Sequence, residues 1–106
     1  MANALVTVPK TARRGEIIEI KTLVAHNMET GYRRTERGVP IMRDIVRTFT
    51  CTYNGVEIFS AELRPAISAN PYISFFTVAT ESGMLAFNWL GDNGFAVSTS
   101  TYITVT

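Results

Sequence analysis

The sequence predicts an all-β protein, a single antiparallel β-sandwich of about seven short strands, and three observations predict it. Thr, Val and Ile, whose branched Cβ atoms suit a pleated backbone, supply 14, 9 and 9 of the 106 residues. Turn signals recur along the chain at Gly15, Asn54-Gly55, Glu81-Ser82-Gly83 and Asp92-Asn93-Gly94. Between them, apolar and polar residues alternate with the period of two expected of strands that bury one face.

The first strand covers Ala4 to Val8 and stops at Pro9, which has no N–H to give to a ladder. The second runs from Glu16 to about His26, with Ile18, Ile20 and Val24 on one face and Glu19 and Lys21 on the other. Ile17 and Leu23 fall on that second, charged face, so the split is imperfect. Asn27 to Arg43, with Gly31, Gly38, Pro40 and several charges, is the one long irregular connection, and loops of that length usually carry a function. A third strand, Ile45 to Tyr53, sets Phe49, Cys51 and Tyr53 against Thr48, Thr50 and Thr52. Asn54-Gly55 accepts positive φ at both turn positions and predicts a hairpin into a fourth strand, Val56 to Leu63.

Pro65 and Pro71 bracket Ala66 to Asn70 and leave room for one helical turn at most. Tyr72 to Thr80 is the fifth strand, Met84 to Leu90 the sixth, and Phe95 to Val105 the last. Seven short strands with regular turns indicate an immunoglobulin-like sandwich. The disulfide of antibody domains is missing, because Cys51 is the only cysteine.

Composition narrows the function. Ten Lys and Arg against nine Asp and Glu leave a formal charge of +1, far from the basic footprint that phosphate backbones require, so no nucleic-acid partner is expected. No apolar run approaches the ~20 residues of a membrane-spanning helix, so no membrane partner is expected either. One domain, residues 1–106, has apolar content enough for a core without metal or disulfide staples. Met1 to Val6 lacks the basic and apolar regions of a secretory signal, which taken alone points to the cytoplasm.

No residue set predicts chemistry, and neither a catalytic site nor a cofactor is expected. His26 is the single histidine, which rules out a His-cluster metal site and leaves a hydrogen-bonded residue at a strand end. Cys51 shares the phase of Phe49 and Tyr53, which turns it toward the core, where a thiol is a small hydrophobe of raised pKa. The carboxylates are scattered, with no pairing that marks an acid and a base. Gly91-Asp92-Asn93-Gly94 opens no helix and is a turn, not a phosphate cradle. Arg33, Arg34, Arg37, Arg43 and Arg47, counted against Glu36 and Asp44, give the long loop and the next strand a surplus of three positive charges. Such a loop either guides an anionic partner or is simply solvated.

The most informative stretch is Tyr72 to Val78. Alternation puts Tyr72, Phe76 and Val78 on one side and Ile73 and Phe75 on the other, whereas a strand in a lone sandwich normally keeps one wet face. Met84, Ala86 and Leu90, opposite in phase to Leu85, Phe87 and Trp89, give the next strand the same character. Either a loop or a partner covers the second face. The expected partner surface is the outer side of these two strands, with Asn70, Tyr72, Phe76, Val78, Met84 and Leu90, together with Met28, Glu29, Arg33 and Arg34 of the long loop.

The chain resembles the SoxZ family over nearly its whole length. The resemblance rests on His26-Asn27-Met28-Glu29-Thr30-Gly31, the basic loop ending in Val39-Pro40, and Phe49 through Asn54-Gly55. It continues in Phe59, Ala61-Glu62-Leu63, Pro65-Ala66-Ile67, Ala69-Asn70-Pro71-Tyr72, Phe75, Gly83, Phe87-Asn88-Trp89 and Asp92-Asn93-Gly94. Asn27 departs from the pattern, in which proline is usual before Met28.

The resemblance implies an immunoglobulin-like, non-catalytic subunit that pairs with SoxY in the sulfur carrier of thiosulfate oxidation. SoxY carries the intermediates on a C-terminal Gly-Gly-Cys-Gly-Gly arm, whereas this sequence ends Tyr102-Ile103-Thr104-Val105-Thr106. It further implies a SoxY heterodimer in the periplasm, reached by co-export with a signal-bearing SoxY, and transient contacts with other Sox enzymes. Self-association of the isolated chain stays open. The alternative of a different class is a stand-alone sandwich module for adhesion or ligand binding.

Overall fold

Two sheets face each other in the computed structural model, which describes residues 4–64, 67 and 69–106. Along the chain come β1 (Ala4–Thr7), β2 (Thr11–Ala12), β3 (Ile17–Val24), β4 (Val46–Tyr53), β5 (Val56–Glu62), β6 (Tyr72–Val78), β7 (Gly83–Gly91) and β8 (Ala96–Val105), with a 3-10 turn at Asp92–Gly94. The smaller sheet has the order β1-β3-β6 and the larger β2-β8-β7-β4-β5. Neighbouring strands run antiparallel except β2, which lies parallel to the end of β8 through Thr11–Thr104 and Ala12–Val105.

The expected strands form within a residue or two of their expected ends. The addition is β2, two residues long, too short to leave a periodic trace in the sequence. Asn54 and Gly55 take φ of 49° and 84° and turn β4 into β5 as their chemistry demands. The helical turn expected between Pro65 and Pro71 involves Pro65, Ala66 and Ser68, which lie outside the described residues.

Alternation builds the core. Ile18, Ile20 and Val24 of β3 and Phe75 of β6 point inward from the small sheet, and Phe49, Cys51, Leu85, Phe87, Trp89 and Ile103 point inward from the large one. The rings knit the sheets together. Phe59 of β5 stacks on Phe75 across the sandwich at 4.3 Å, and Phe49 lies 5.1 Å from Trp89. Thr22, the buried polar residue on the inner side of β3, donates its hydroxyl to the Ile73 carbonyl at 2.8 Å, so its burial leaves nothing unsatisfied.

The crossover from β6 to β7 carries the chain from one sheet to the other, and the end of β4 fixes it. The Tyr53 hydroxyl donates to the Glu81 carbonyl and accepts the N–H groups of Thr80 and Glu81, both at 3.3 Å. Asn54 Oδ1 accepts the Met84 N–H at 2.9 Å. A Cβ on Gly83 would fall 1.8 Å from that Oδ1, which is why the crossover needs glycine there.

The long connection is more ordered than its composition implies. Glu29 and Asp44 exchange N–H···O bonds of 2.8 Å, Ile41 N–H reaches the Arg33 carbonyl at 2.9 Å, and Thr35 N–H reaches the Val39 carbonyl at 2.8 Å. These rungs make residues 27–44 a narrow antiparallel arm, exposed throughout Tyr32–Pro40. The molecule measures 60 × 22 × 19 Å, whereas its ten-residue β8 accounts for only about 34 Å of length.

Candidate functional site

The residues expected to meet a partner do not form one surface. β6 lies in the small sheet and β7 in the large one, so Tyr72, Phe76 and Val78 look out from one side of the sandwich while Met84 and Leu90 look out from the other. The expectation of a shared patch is corrected on this point. Strand phase tells which side of its own sheet a residue faces and says nothing of which sheet the strand joins.

The outer face of the small sheet is the apolar one. Its ladder sets Leu5 beside Leu23 and Tyr72, then Thr7 beside Lys21 and Ser74, then Glu19 beside Phe76, and last Ile17 beside Val78. Leu5, Ile17 and Phe76 are each about 70% exposed, and Tyr72 and Val78 are 58% and 44% exposed. Lys21 and Glu19 approach within 4.0 Å of each other in the middle of this field. Leu5 and Ile17 were absent from the expected contact residues, although the imperfect alternation of β3 at Ile17 and Leu23 was their signal.

The outer face of the large sheet is mostly small and polar. Thr50 and Thr52 of β4 sit beside Asn88 and Ala86 of β7, which sit beside Ser98 and Ser100 of β8. Met84 pairs with exposed Tyr102 at one end, and Leu90 lies between Thr48 and Ala96 at the other. Scattered apolar groups of this kind are ordinary on protein surfaces.

The arm contributes less than expected at its root and more along its length. Met28, expected as a contact, is 5% exposed, and its sulfur accepts the Val46 N–H at 3.2 Å, so it is a core residue. It turns inward through a positive φ of 56°, a local geometry that no periodicity announces. Glu29 is held by the guanidinium of Arg33, with an N–H···O distance of 2.6 Å, and this bond, opposed in part by desolvation, lowers the Glu29 carboxyl pKa. Asn70, at φ 52°, accepts the His26 N–H through Oδ1 at 2.9 Å and donates its own N–H to the His26 carbonyl. It therefore braces the end of β3. Tyr32, Val39 and Met42 are the arm's exposed apolar groups, at 85%, 57% and 80%.

His26 is a strand-end histidine in a full set of contacts. Its Nδ1 accepts the Met28 N–H at 2.9 Å, its Nε2 lies 3.5 Å from Asp44 Oδ1, and its ring packs edge-on against Phe95 at 4.7 Å. Cys51 is fully buried, and burial pushes its thiol up to about 12. Among the described residues no group of three or more His, Cys, Asp or Glu side chains is placed to hold a metal ion. No helix among them is long and apolar enough to cross a membrane.

The arginine surplus is answered in part from within, since two of its five members have carboxylate partners. Arg33 is matched by Glu29, which belongs in the charge balance beside Glu36 and Asp44. Arg43 is matched by Asp92, Arg34 donates to the Gly38 carbonyl at 3.0 Å, and Arg64 lies 3.5 Å from Glu62. Arg43, Arg47 and Arg64 border an open cavity of about 290 Å³ with Glu62 and Leu63. Two of these three guanidiniums already have carboxylate partners, so the cavity is not a concentrated anion trap.

The family described as "Sulphur oxidation protein SoxZ" matches residues 6–102. A comparison with the curated proteins finds no match. Among solved structures, a superoxide reductase (neelaredoxin) from Ignicoccus hospitalis has a TM-score of 0.76 at 14% identity, over 98% of this chain and 80% of that one. The sulfur carrier protein SoxY from Chlorobium limicola f. thiosulfatophilum has a TM-score of 0.70 at 11% identity, over 100% of this chain and 81% of that one. At such identities the likeness is one of fold, the immunoglobulin-like sandwich.

Proposed function

The chain belongs to the SoxZ family of sulphur oxidation proteins, and on that premise we propose that it is the binding half of a sulfur carrier whose other half is a SoxY chain. As a SoxZ-type protein it is a component of a sulphur-oxidation system and not an enzyme. In the pair, SoxY bears the intermediates of thiosulfate oxidation on its terminal cysteine arm, and this chain supplies a rigid body beside it. A fully buried Cys51 with a thiol pKa of about 12 suits that division, because it offers no second nucleophile to compete for sulfur.

The observation that carries the reading is the outer face of β1-β3-β6. Five large apolar side chains, Leu5, Ile17, Tyr72, Phe76 and Val78, stand exposed on one side of a three-stranded sheet. Large exposed apolar groups gathered on one face around a single Lys21–Glu19 pair mark an interaction site. We assign SoxY to it. The heterodimer works in the periplasm, to which SoxY brings this chain by co-export, and the enzymes of the system touch the pair only transiently.

The test is co-expression of the chain with a SoxY protein, followed by affinity capture through a tag on SoxY and native mass spectrometry. A one-to-one complex is expected. Capture of SoxY free of this chain, with both proteins folded, overturns the reading.

A further inference from the structure

The apolar face has a second property, which concerns its charges. Rows of side chains cross it in the order Leu5–Leu23–Tyr72, Thr7–Lys21–Ser74, Glu19–Phe76 and Ile17–Val78. Consider a two-fold axis lying in the plane of the face, crossing the strands between the Lys21 and Glu19 rows. Rotation about it lays each strand over its own copy with the rows reversed. Glu19 then meets Lys21 of the second copy, and Lys21 meets its Glu19. Ile17 meets Leu23, Val78 meets Tyr72, and the large Phe76 meets the small Ser74. Each of these β3 and β6 pairings is apolar on apolar, opposite charge on charge, or large on small, and each occurs twice, as an isologous interface requires, while Leu5 and Thr7 of the shorter β1 lie at the rim without a facing strand residue.

We infer that this face is self-complementary, and that in the absence of SoxY a second copy of the same chain closes over it to form a symmetric homodimer. Glu19 and Lys21 set the register, because any slip by one row along the strands brings like charges together or sets a charge against an apolar group. The sheets pack face to face in the aligned manner of sandwich layers, about 10 Å apart. Three strands about 4.8 Å apart make a footprint at the small end of specific interfaces. A footprint of that size suits a dimer that opens readily. A SoxY chain, whose fold is similar over the whole of this chain, competes with the second copy for the same surface. The homodimer itself does not depend on the SoxY reading, because it is measured on the isolated chain.

Sedimentation velocity on the purified chain tests it. The wild-type protein is expected to be mostly dimeric at about 100 μM. Glu19→Lys places lysine against lysine twice in the interface, and Lys21→Glu places glutamate against glutamate twice. Each variant is expected to dissociate at least about tenfold more readily than wild type, with its circular dichroism unchanged. An equimolar mixture of the two variants restores both charge pairs and is expected to regain the dimer. Native mass spectrometry then shows one chain of each kind in it.

A monomeric wild-type chain at that concentration overturns the inference, as do variants that dimerise like wild type and a mixture that stays monomeric. A monomer that still binds SoxY overturns this inference alone. A dimer with the charge pattern above that ignores SoxY overturns the carrier reading alone.

Discussion

Arg43 grips Asp92 with two parallel hydrogen bonds, Nε to Oδ2 at 2.8 Å and a terminal guanidinium nitrogen to Oδ1 at 3.0 Å, across 49 residues of sequence. Asp92 Oδ2 also accepts the Ile45 N–H at 3.2 Å. The turn between β7 and β8 is thereby bound to the root of the arm, and a bidentate pair of this kind fixes angle as well as distance.

The grip predicts a pH dependence. The hydrogen bond from Arg43, aided by the Ile45 N–H and by the charges of Arg43 and Arg47, outweighs desolvation and holds the Asp92 carboxyl below its usual pKa. A lowered folded-state pKa adds stability that is present above the unfolded value and lost as pH falls through the folded one. Asp92→Asn is expected to lower the melting temperature at pH 7. The gap to wild type is expected to close as both are melted at progressively lower pH, below the ordinary range for aspartate.

Cys51 predicts the opposite slope. Burial raises its folded-state pKa from 9.0 to about 12, so the folded chain keeps a proton that the unfolded chain releases in alkali. Stability from this group is complete below about pH 9 and falls as pH rises toward 12. Urea titrations in that window are expected to show a steeper decline for wild type than for Cys51→Ala. In the native state at neutral pH, a thiol reagent is expected to label Cys51 no faster than the chain unfolds.

The Tyr53 hydroxyl holds the β6–β7 crossover through three backbone groups. Tyr53→Phe leaves two N–H groups and a carbonyl of a part-buried crossover without that partner, and a lost hydrogen bond of this kind costs about 0.5–1.5 kcal/mol. Denaturant unfolding of the variant is expected to show a loss in that range with an unchanged slope. A loss below about 0.5 kcal/mol would mean that the hydroxyl is not what fixes the crossover.

The two faces of the sandwich predict a contrast. Phe76→Asp places a charge in the middle of the apolar field and is expected to weaken SoxY binding by 30-fold or more, about 2 kcal/mol or above. Met84→Asp lies on the opposite face and is expected to leave binding within about twofold of wild type. Titration calorimetry of both variants measures the contrast, and equal effects would place the interface elsewhere.

Much of this was legible in the sequence, for reasons that can be named. Asn54-Gly55 encodes its own turn in φ, and the phase of Phe49, Cys51 and Tyr53 encodes their burial, because both are properties of a few adjacent residues. The division of β6 and β7 between two sheets is not such a property. Four residues, Ala79 to Ser82, could close a hairpin or cross between layers, and the contacts that hold the crossing come from distant residues, among them the Tyr53 hydroxyl, 27 and 28 residues away from the N–H groups it accepts, and the Asn54 side chain. Met28 was hidden for a similar reason. Its inward turn is set by one positive φ and by the Val46 N–H that its sulfur receives, neither of which has a period. β2 leaves no sequence signal, because two residues cannot alternate.

The arm also changes how the molecule travels through solution. A body 60 Å long and about 20 Å thick has more frictional drag than a sphere of the same 11.7 kDa, and its 16.3 Å radius of gyration exceeds the roughly 13 Å of a round domain of this length. On a sizing column a single copy therefore elutes early, toward the volume of a compact protein of larger mass. Elution volume confuses shape with stoichiometry for this chain, and the count of copies has to come from mass measured directly.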